Sequence, residues 1–172
     1  MALTTYTAGE VLTAASLNDN FTFAASGGGK IAQVVSVTKT DAFTTSSTSY
    51  VDITGMTVTI TPTLATSTIL VMTGLALSVA TNRGYVQLKR GATDIAISTG
   101  FATSNQTSCV AANNYASQYV SIAYVDSPAT TSATTYKFQL KVDSSTTGLI
   151  NGQAGATSHG NVSTLTVMEI LA

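Results

Sequence analysis

Met56-Thr57-Val58-Thr59-Ile60-Thr61 and Tyr136-Lys137-Phe138-Gln139-Leu140-Lys141-Val142 decide the fold. In both stretches an apolar side chain alternates with a hydroxyl, an amide or an ammonium. A β-strand turns successive side chains to opposite faces, so each stretch has one apolar face and one wet face. Val86 and Leu88 alternate in the same way with Tyr85, Gln87 and Lys89, as do Val120, Ile122 and Tyr124 with Ser121 and Ala123. Ile31 to Thr38 is rich in β-branched residues and contains neither Gly nor Pro. Clusters with turn chemistry lie between these runs, at 41–49, Thr54-Gly55, 62–67, 81–84, 91–94, 126–133 and 143–148. About nine or ten short strands at this spacing predict an all-β domain over residues 30–172: an antiparallel β-sandwich, jelly-roll-like.

Two strands depart from the alternation. Ile69-Leu70-Val71-Met72 is apolar on both faces, and Leu165-Thr166-Val167-Met168-Glu169-Ile170-Leu171 is nearly so, with only Ala172 after it. A sandwich strand needs one buried face, so the second apolar face needs a cover. A second copy of the chain is one cover, and the chain's own loops are the other. The first alternative predicts a homotrimer whose interface includes Leu165, Val167, Met168, Ile170 and Leu171.

The composition suits a self-associating structural component. Charged residues are 9% of the 172, against about 25% in ordinary soluble domains, while apolar residues are 44%. Thr (32 residues) and Ser (19 residues) replace the charge; a Thr hydroxyl keeps an exposed strand face wet while its branched Cβ favours extended backbone. The net charge is −1 and the seven basic residues are scattered, so no electrostatic footprint for nucleic acid or an anionic membrane exists. Arg83, Lys89 and Arg90 are the nearest thing to a cluster and read as a solvated strand face. Neither a signal peptide nor a membrane-spanning run is expected from the first ten residues or from Ile69 to Leu77.

Before the β region lies a segment of another kind. Thr13 is a suitable N-cap, Ala14, Ala15 and Leu17 favour helix, and Leu17 and Phe21 share one helical face with Leu12 before them. Such a helix is marginal alone and needs a partner surface. Gly27-Gly28-Gly29 follows and gives the joint wide conformational freedom. Residues 1–26 are therefore expected to be an attachment arm, 27–29 a joint, and 30–172 the β domain. Packing of the arm onto its own domain is the alternative.

The arm carries a resemblance. Thr-Ala-Gly-Glu-Val-Leu-Thr-Ala-Ala-Ser-Leu-Asn, residues 7–18, resembles the N-terminus of many small virion proteins of tailed bacteriophages, especially tail-fibre-like ones. Within the β region, residues 49–62, 65–71 and 88–95 resemble a domain repeated in structural proteins of marine and cyanobacterial phages. The layout is also similar to the trimeric jelly rolls of the complement and tumour-necrosis-factor kind. These resemblances imply a virion-surface protein attached through Tyr6, Leu12, Leu17, Phe21 and Phe23, with other tail or capsid proteins as partners. Two roles follow. A fibre-like or receptor-binding protein would present loops such as 99–114 to a host receptor or glycan, and a capsid decoration protein would clamp capsomers.

Catalytic signatures are sparse, so no enzyme, metal or cofactor is expected. His159, in the loop Gly155-Ala156-Thr157-Ser158-His159-Gly160, is the single histidine, and no Gly-x-Ser-x-Gly occurs. Cys109 is alone, which excludes an intrachain disulfide. Asp41, Asp52, Asp94, Asp126 and Asp143 read as turn formers. A glycan-degrading spike enzyme is the reading of another class; it needs a carboxylate pair, and no motif singles one out.

Overall fold

The computed structural model describes residues 5–11, 13–18, 30–99, 107–112, 116–143, 145–153 and 160–172. Eleven strands form among them: β1 (Ile31–Lys39), β2 (Phe43–Thr45), β3 (Val51–Ile60), β4 (Thr68–Val79), β5 (Arg83–Arg90), β6 (Thr93–Ile95), β7 (Cys109–Ala112), β8 (Gln118–Asp126), β9 (Thr134–Val142), β10 (Gly148–Ile150) and β11 (Ser163–Ile170). All the pairings are antiparallel, and the sandwich expected from the alternation is present.

The pairing follows one rule. β1 pairs with β11, β2 with β10, β3 with β9, β4 with β8, and β5 with β7. The β region is thus one long hairpin whose tip lies between β5 and β7, rolled so that from β2–β10 onward successive pairs fall in alternate sheets. That is the wrap of a jelly roll. Sheet A runs β1-β11-β4-β8, with β10 and β2 continuing on the β11 side of β4 beyond the end of β11. Sheet B runs β3-β9-β5, with β6 and β7 sharing the far edge of β5.

The inner faces of the two sheets make one core. β3 supplies Ile53, Met56, Val58 and Ile60; β9 supplies Tyr136, Phe138 and Leu140; β5 supplies Val86 and Leu88. Facing them are Ile69, Val71, Leu75 and Leu77 of β4 and Leu165 and Val167 of β11, with Val35, Val37, Ile122 and Tyr124 packed at the margins. Each apolar parity read from the sequence points inward.

Three expectations are corrected. Thr54-Gly55 is not a turn between strands. It lies inside β3, where the register with β9 jumps between Asp52 and Thr57 and Gly55 takes a φ of 83°. The irregularity changes the inward parity, so that Ile53 and Met56 are both buried. The polar clusters at 41–49 and 143–148 contain or adjoin the short strands β2 and β10, too brief and too Thr-rich to show a period. Leu165 and Val167 are fully buried inside the single chain and pack into its own core. They therefore belong to the fold and not to an interface with another copy.

Close packing between the sheets leads to a test. A Cβ built on Gly148 would lie 2.8 Å from Val142 Cγ1 and 3.2 Å from Leu140 Cδ2. Gly148→Ala should overpack the core and cost about 1–3 kcal/mol in urea unfolding. Unchanged stability would show that the sheets have slack there.

Candidate functional site

The arm forms its local structure as the sequence suggests. Residues 14–18 are helical, and the Thr13 hydroxyl accepts the Ser16 N–H at 3.2 Å, satisfying a free donor of the first turn. Upstream, a turn at Gly9 lets the Glu10 carboxylate accept the Thr7 N–H at 3.1 Å. Val11 is 83% exposed and Leu17 40% exposed. Tyr6 is partly covered, with its hydroxyl enclosed and unpartnered. Leu12, Phe21, Phe23 and Gly27-Gly28-Gly29 lie outside the described residues, as does His159.

The buried charged residues of the domain, Lys39, Asp126 and Glu169, lie at the ends of the sandwich. At one end a row crosses the inner face of sheet A: Gln33, Glu169, Ile69 and Asp126, each the register partner of the next. The Glu169 side chain is covered completely, and three donors meet it. Gln33 Nε2 donates to Oε2 at 2.7 Å, while the Thr63 N–H and hydroxyl donate to Oε1 at 2.7 and 2.8 Å. The fully buried Ser67 hydroxyl sits close by, outside hydrogen-bond geometry. Burial pushes the Glu169 carboxyl up, but the donors outweigh it and hold the group at about 2.

Asp126 closes the same end across the sheets. Arg90 Nη1 of sheet B donates to its two oxygens at 2.8 and 2.9 Å, and the Tyr136 hydroxyl donates at 2.6 Å. Burial, followed by the Asp126 carboxylate, pushes the Tyr136 phenol well above its usual range. Arg90 and Asp126 are thus corrected from a solvated face and a turn former to partners in a covered clasp.

Asn151 organises the opposite end from a left-handed backbone position, φ 60°, which Asn tolerates. Its amide donates to the carbonyls of Lys39 and Asp41 at 2.7 and 3.1 Å and its oxygen accepts the Ser163 hydroxyl at 2.6 Å. Lys39, with its side chain 1% exposed, reaches Asp41 at 2.9 Å.

One signal in the sequence could have found most of these residues. Arg90 continues the parity of Val86 and Leu88, Asp126 that of Ile122 and Tyr124, Glu169 that of Leu165 and Val167, and Lys39 that of Val35 and Val37. A polar residue that extends an apolar parity at a strand end points inward, over the rim of the core.

The carboxylates of Glu169 and Asp126 are covered and held by structural hydrogen bonds, so a second kind of surface is the better candidate. The outer face of sheet B is charged: Asp52 takes Lys137 at 2.8 Å and Gln139 at 2.7 Å, Lys89 pairs with Asp94, and Lys141 lies 4.9 Å from the ring centres of Tyr50 and Tyr85. The outer face of sheet A carries no charge. Its rows across β1, β11, β4 and β8 read Val34-Met168-Leu70-Val125, then Ser36-Thr166-Met72-Ala123, then Thr38-Thr164-Gly74-Ser121. Val34, Met72 and Val125 are 54%, 43% and 55% exposed. Beside Gly74 the face sinks into a shallow depression of about 440 Å³. Of the interface expected at β11, Met168 and Ile170 belong to this face and are half-buried, while Leu171 lies just beyond the strand.

No described group of three His, Cys, Asp or Glu is placed to hold a metal ion, and no described helix is long and apolar enough to cross a membrane. Compared with known protein families and with curated proteins, the chain matches none.

Two measurements test the clasps. Glu169 titrates near 2 when folded and near 4.5 when free. Its contribution to stability is therefore complete above pH 4.5 and is lost as pH falls toward 2, because the unfolded chain takes up the proton first. The melting temperature of the wild type should fall over this window more steeply than that of Glu169→Gln; parallel curves would contradict the assignment. Tyr136→Phe leaves the Asp126 carboxylate short of a donor and should cost about 1–3 kcal/mol, read by urea unfolding.

Proposed function

We propose that this chain is a non-enzymatic structural protein of a bacteriophage virion. Its N-terminal arm holds it to the particle, and its jelly roll is displayed on the surface as a homotrimer in a fibre-like or receptor-binding role. One observation carries the reading: Val11 and Leu17 stand exposed on an arm whose described hydrogen bonds are local, while the core cluster, among the described residues, draws on residues 35–167. A segment with exposed apolar side chains, beside a domain with its own core, suits attachment to another surface. The resemblance of residues 7–18 to phage virion proteins supplies the kind of surface.

Capsid decoration is the second reading. It is favoured by the single compact sandwich, since no described element forms a stalk. Glycan cleavage draws less support. Asp126 and Glu169 lie in one row with Ile69 between them, but both are covered and spent on structural hydrogen bonds, and Glu169 is held far below the pKa of a general acid.

Deleting residues 1–26 tests the reading. The truncated protein should keep the strand signature and cooperative melting of the full chain, yet fail to co-sediment with virions that bind the full chain. Leu17→Asp should weaken that binding in the same direction. A truncated protein that still binds particles, or one that no longer folds, would overturn the arm's role.

A further inference from the structure

The structure assigns the outer face of sheet A to a second copy of this chain, with the β8 edge of one molecule seated against the β1-β11-β4-β8 face of the next. The inference rests on the oligomeric reading above and names the surface that makes it.

The distribution of charge comes first. The chain has 15 charged residues, seven basic and eight acidic, and none of those described lies on this face. Five of them, Asp52, Lys89, Asp94, Lys137 and Lys141, lie on the outer face of sheet B. An antiparallel sheet with one wet face ordinarily alternates apolar with polar, often charged, side chains. Sheet B does so. Sheet A instead presents a continuous row of Val34, Met168, Leu70 and Val125, flanked by Met72 and Ala123. Burying charged groups against such a face would cost their hydration without return, so its partner must also be uncharged.

The edge of the same sheet supplies that partner. Among the described residues β8 pairs with β4 alone, and none of them pairs with its other side. Residues 118–125 contain no charge, Pro or Gly. Open edges are usually blunted by such residues, by bulges or by inward-pointing charges. β8 has one of these devices, the inward Asp126 at its end, and the opposite edge, β1, has two: a register shift between Ile31 and Gln33, and the buried Lys39. On β8 the inward residues Ile122 and Tyr124 are only half-buried, so apolar surface continues round the edge from Val125.

Area and shape decide the arrangement. Four strands about 4.8 Å apart, over roughly 27 Å of strand length, give a face on the order of 500 Å². A face-to-face pair buries that area once in each copy, whereas a copy that gives its face to one neighbour and its edge to the other buries both surfaces. Such a heterologous contact closes into a ring when its rotation divides the circle, and the trimer read above is the case of three copies. In this arrangement the depression beside Gly74 faces the neighbouring copy's edge. A Cβ on Gly74 would meet only Thr164 Oγ1, at 3.9 Å, so the fold itself leaves room for a side chain there.

Light scattering and sedimentation velocity on the full chain test the inference, with Met72→Lys, Gly74→Val and, as a control on the charged sheet, Thr59→Lys. The wild type and the control should sediment as three copies. Met72→Lys should sediment as a monomer with its β-sheet circular dichroism intact. Gly74→Val, which adds a β-branched side chain where the single chain has space, should fold and raise the dissociation constant at least tenfold. A monomeric wild type at micromolar concentration would overturn this inference together with the oligomeric reading. A wild-type oligomer that both variants reproduce would overturn the surface alone.

Discussion

β4 is the strand on which the rest of the molecule depends. It is hydrogen-bonded along both edges, by β8 on one side and by β11 and then β10 on the other. Its inward side chains Ile69, Val71, Leu75 and Leu77 face the apolar sides of β3, β9 and β5. Removing its inner face would take away the floor on which Tyr136 and Phe138 pack. Because a strand offers two faces and no more, everything β4 does not give to the core it gives to the outside. There it places Leu70, Met72 and Gly74, and these are the centre of the uncharged surface.

The two-residue period made the fold legible in the sequence. Met56, Val58 and Ile60, or Phe138 and Leu140, have only one way to sit when an aqueous and an apolar side compete. The features that the sequence concealed are those where the period fails or is too short to count. Gly55 sits inside a strand because an irregularity changes the inward parity. β2 and β10, three residues each, look like turns because Thr and Ser serve both states. The two-faced apolar strands are visible as such, but a strand that is apolar on both sides does not encode which face meets the core. Leu165 and Val167 proved to be core, and Met168 and Ile170 lie on the outer side.

The candidate surface was only partly legible for a different reason. A face is assembled from residues far apart in the chain, and Val34, Met168, Leu70 and Val125 become neighbours only through the register of four strands. The same holds for the clasps. Arg90, Asp126 and Glu169 were each visible as strand-end residues of inward parity, yet their partners Tyr136, Gln33 and Thr63 are fixed by topology. These clasps explain how so few charges serve the domain. Those used internally tie loops and sheets together at the rims, those on sheet B keep one side hydrated, and sheet A is left bare. Such segregation is costly for a molecule that works alone, since bare sheets aggregate, and economical for one that covers the face with its own kind.

The central claim is that this face is covered in the working protein, and methionine oxidation measures that cover without any substitution. Met72 is 43% exposed in the single chain, whereas Met56 is fully buried in the core. In the assembled protein treated with dilute peroxide, Met72 should oxidise nearly as slowly as Met56, and should become fast when dilution separates the copies. Rapid oxidation of Met72 at every concentration, with Met56 protected, would show the face open to water and contradict the account.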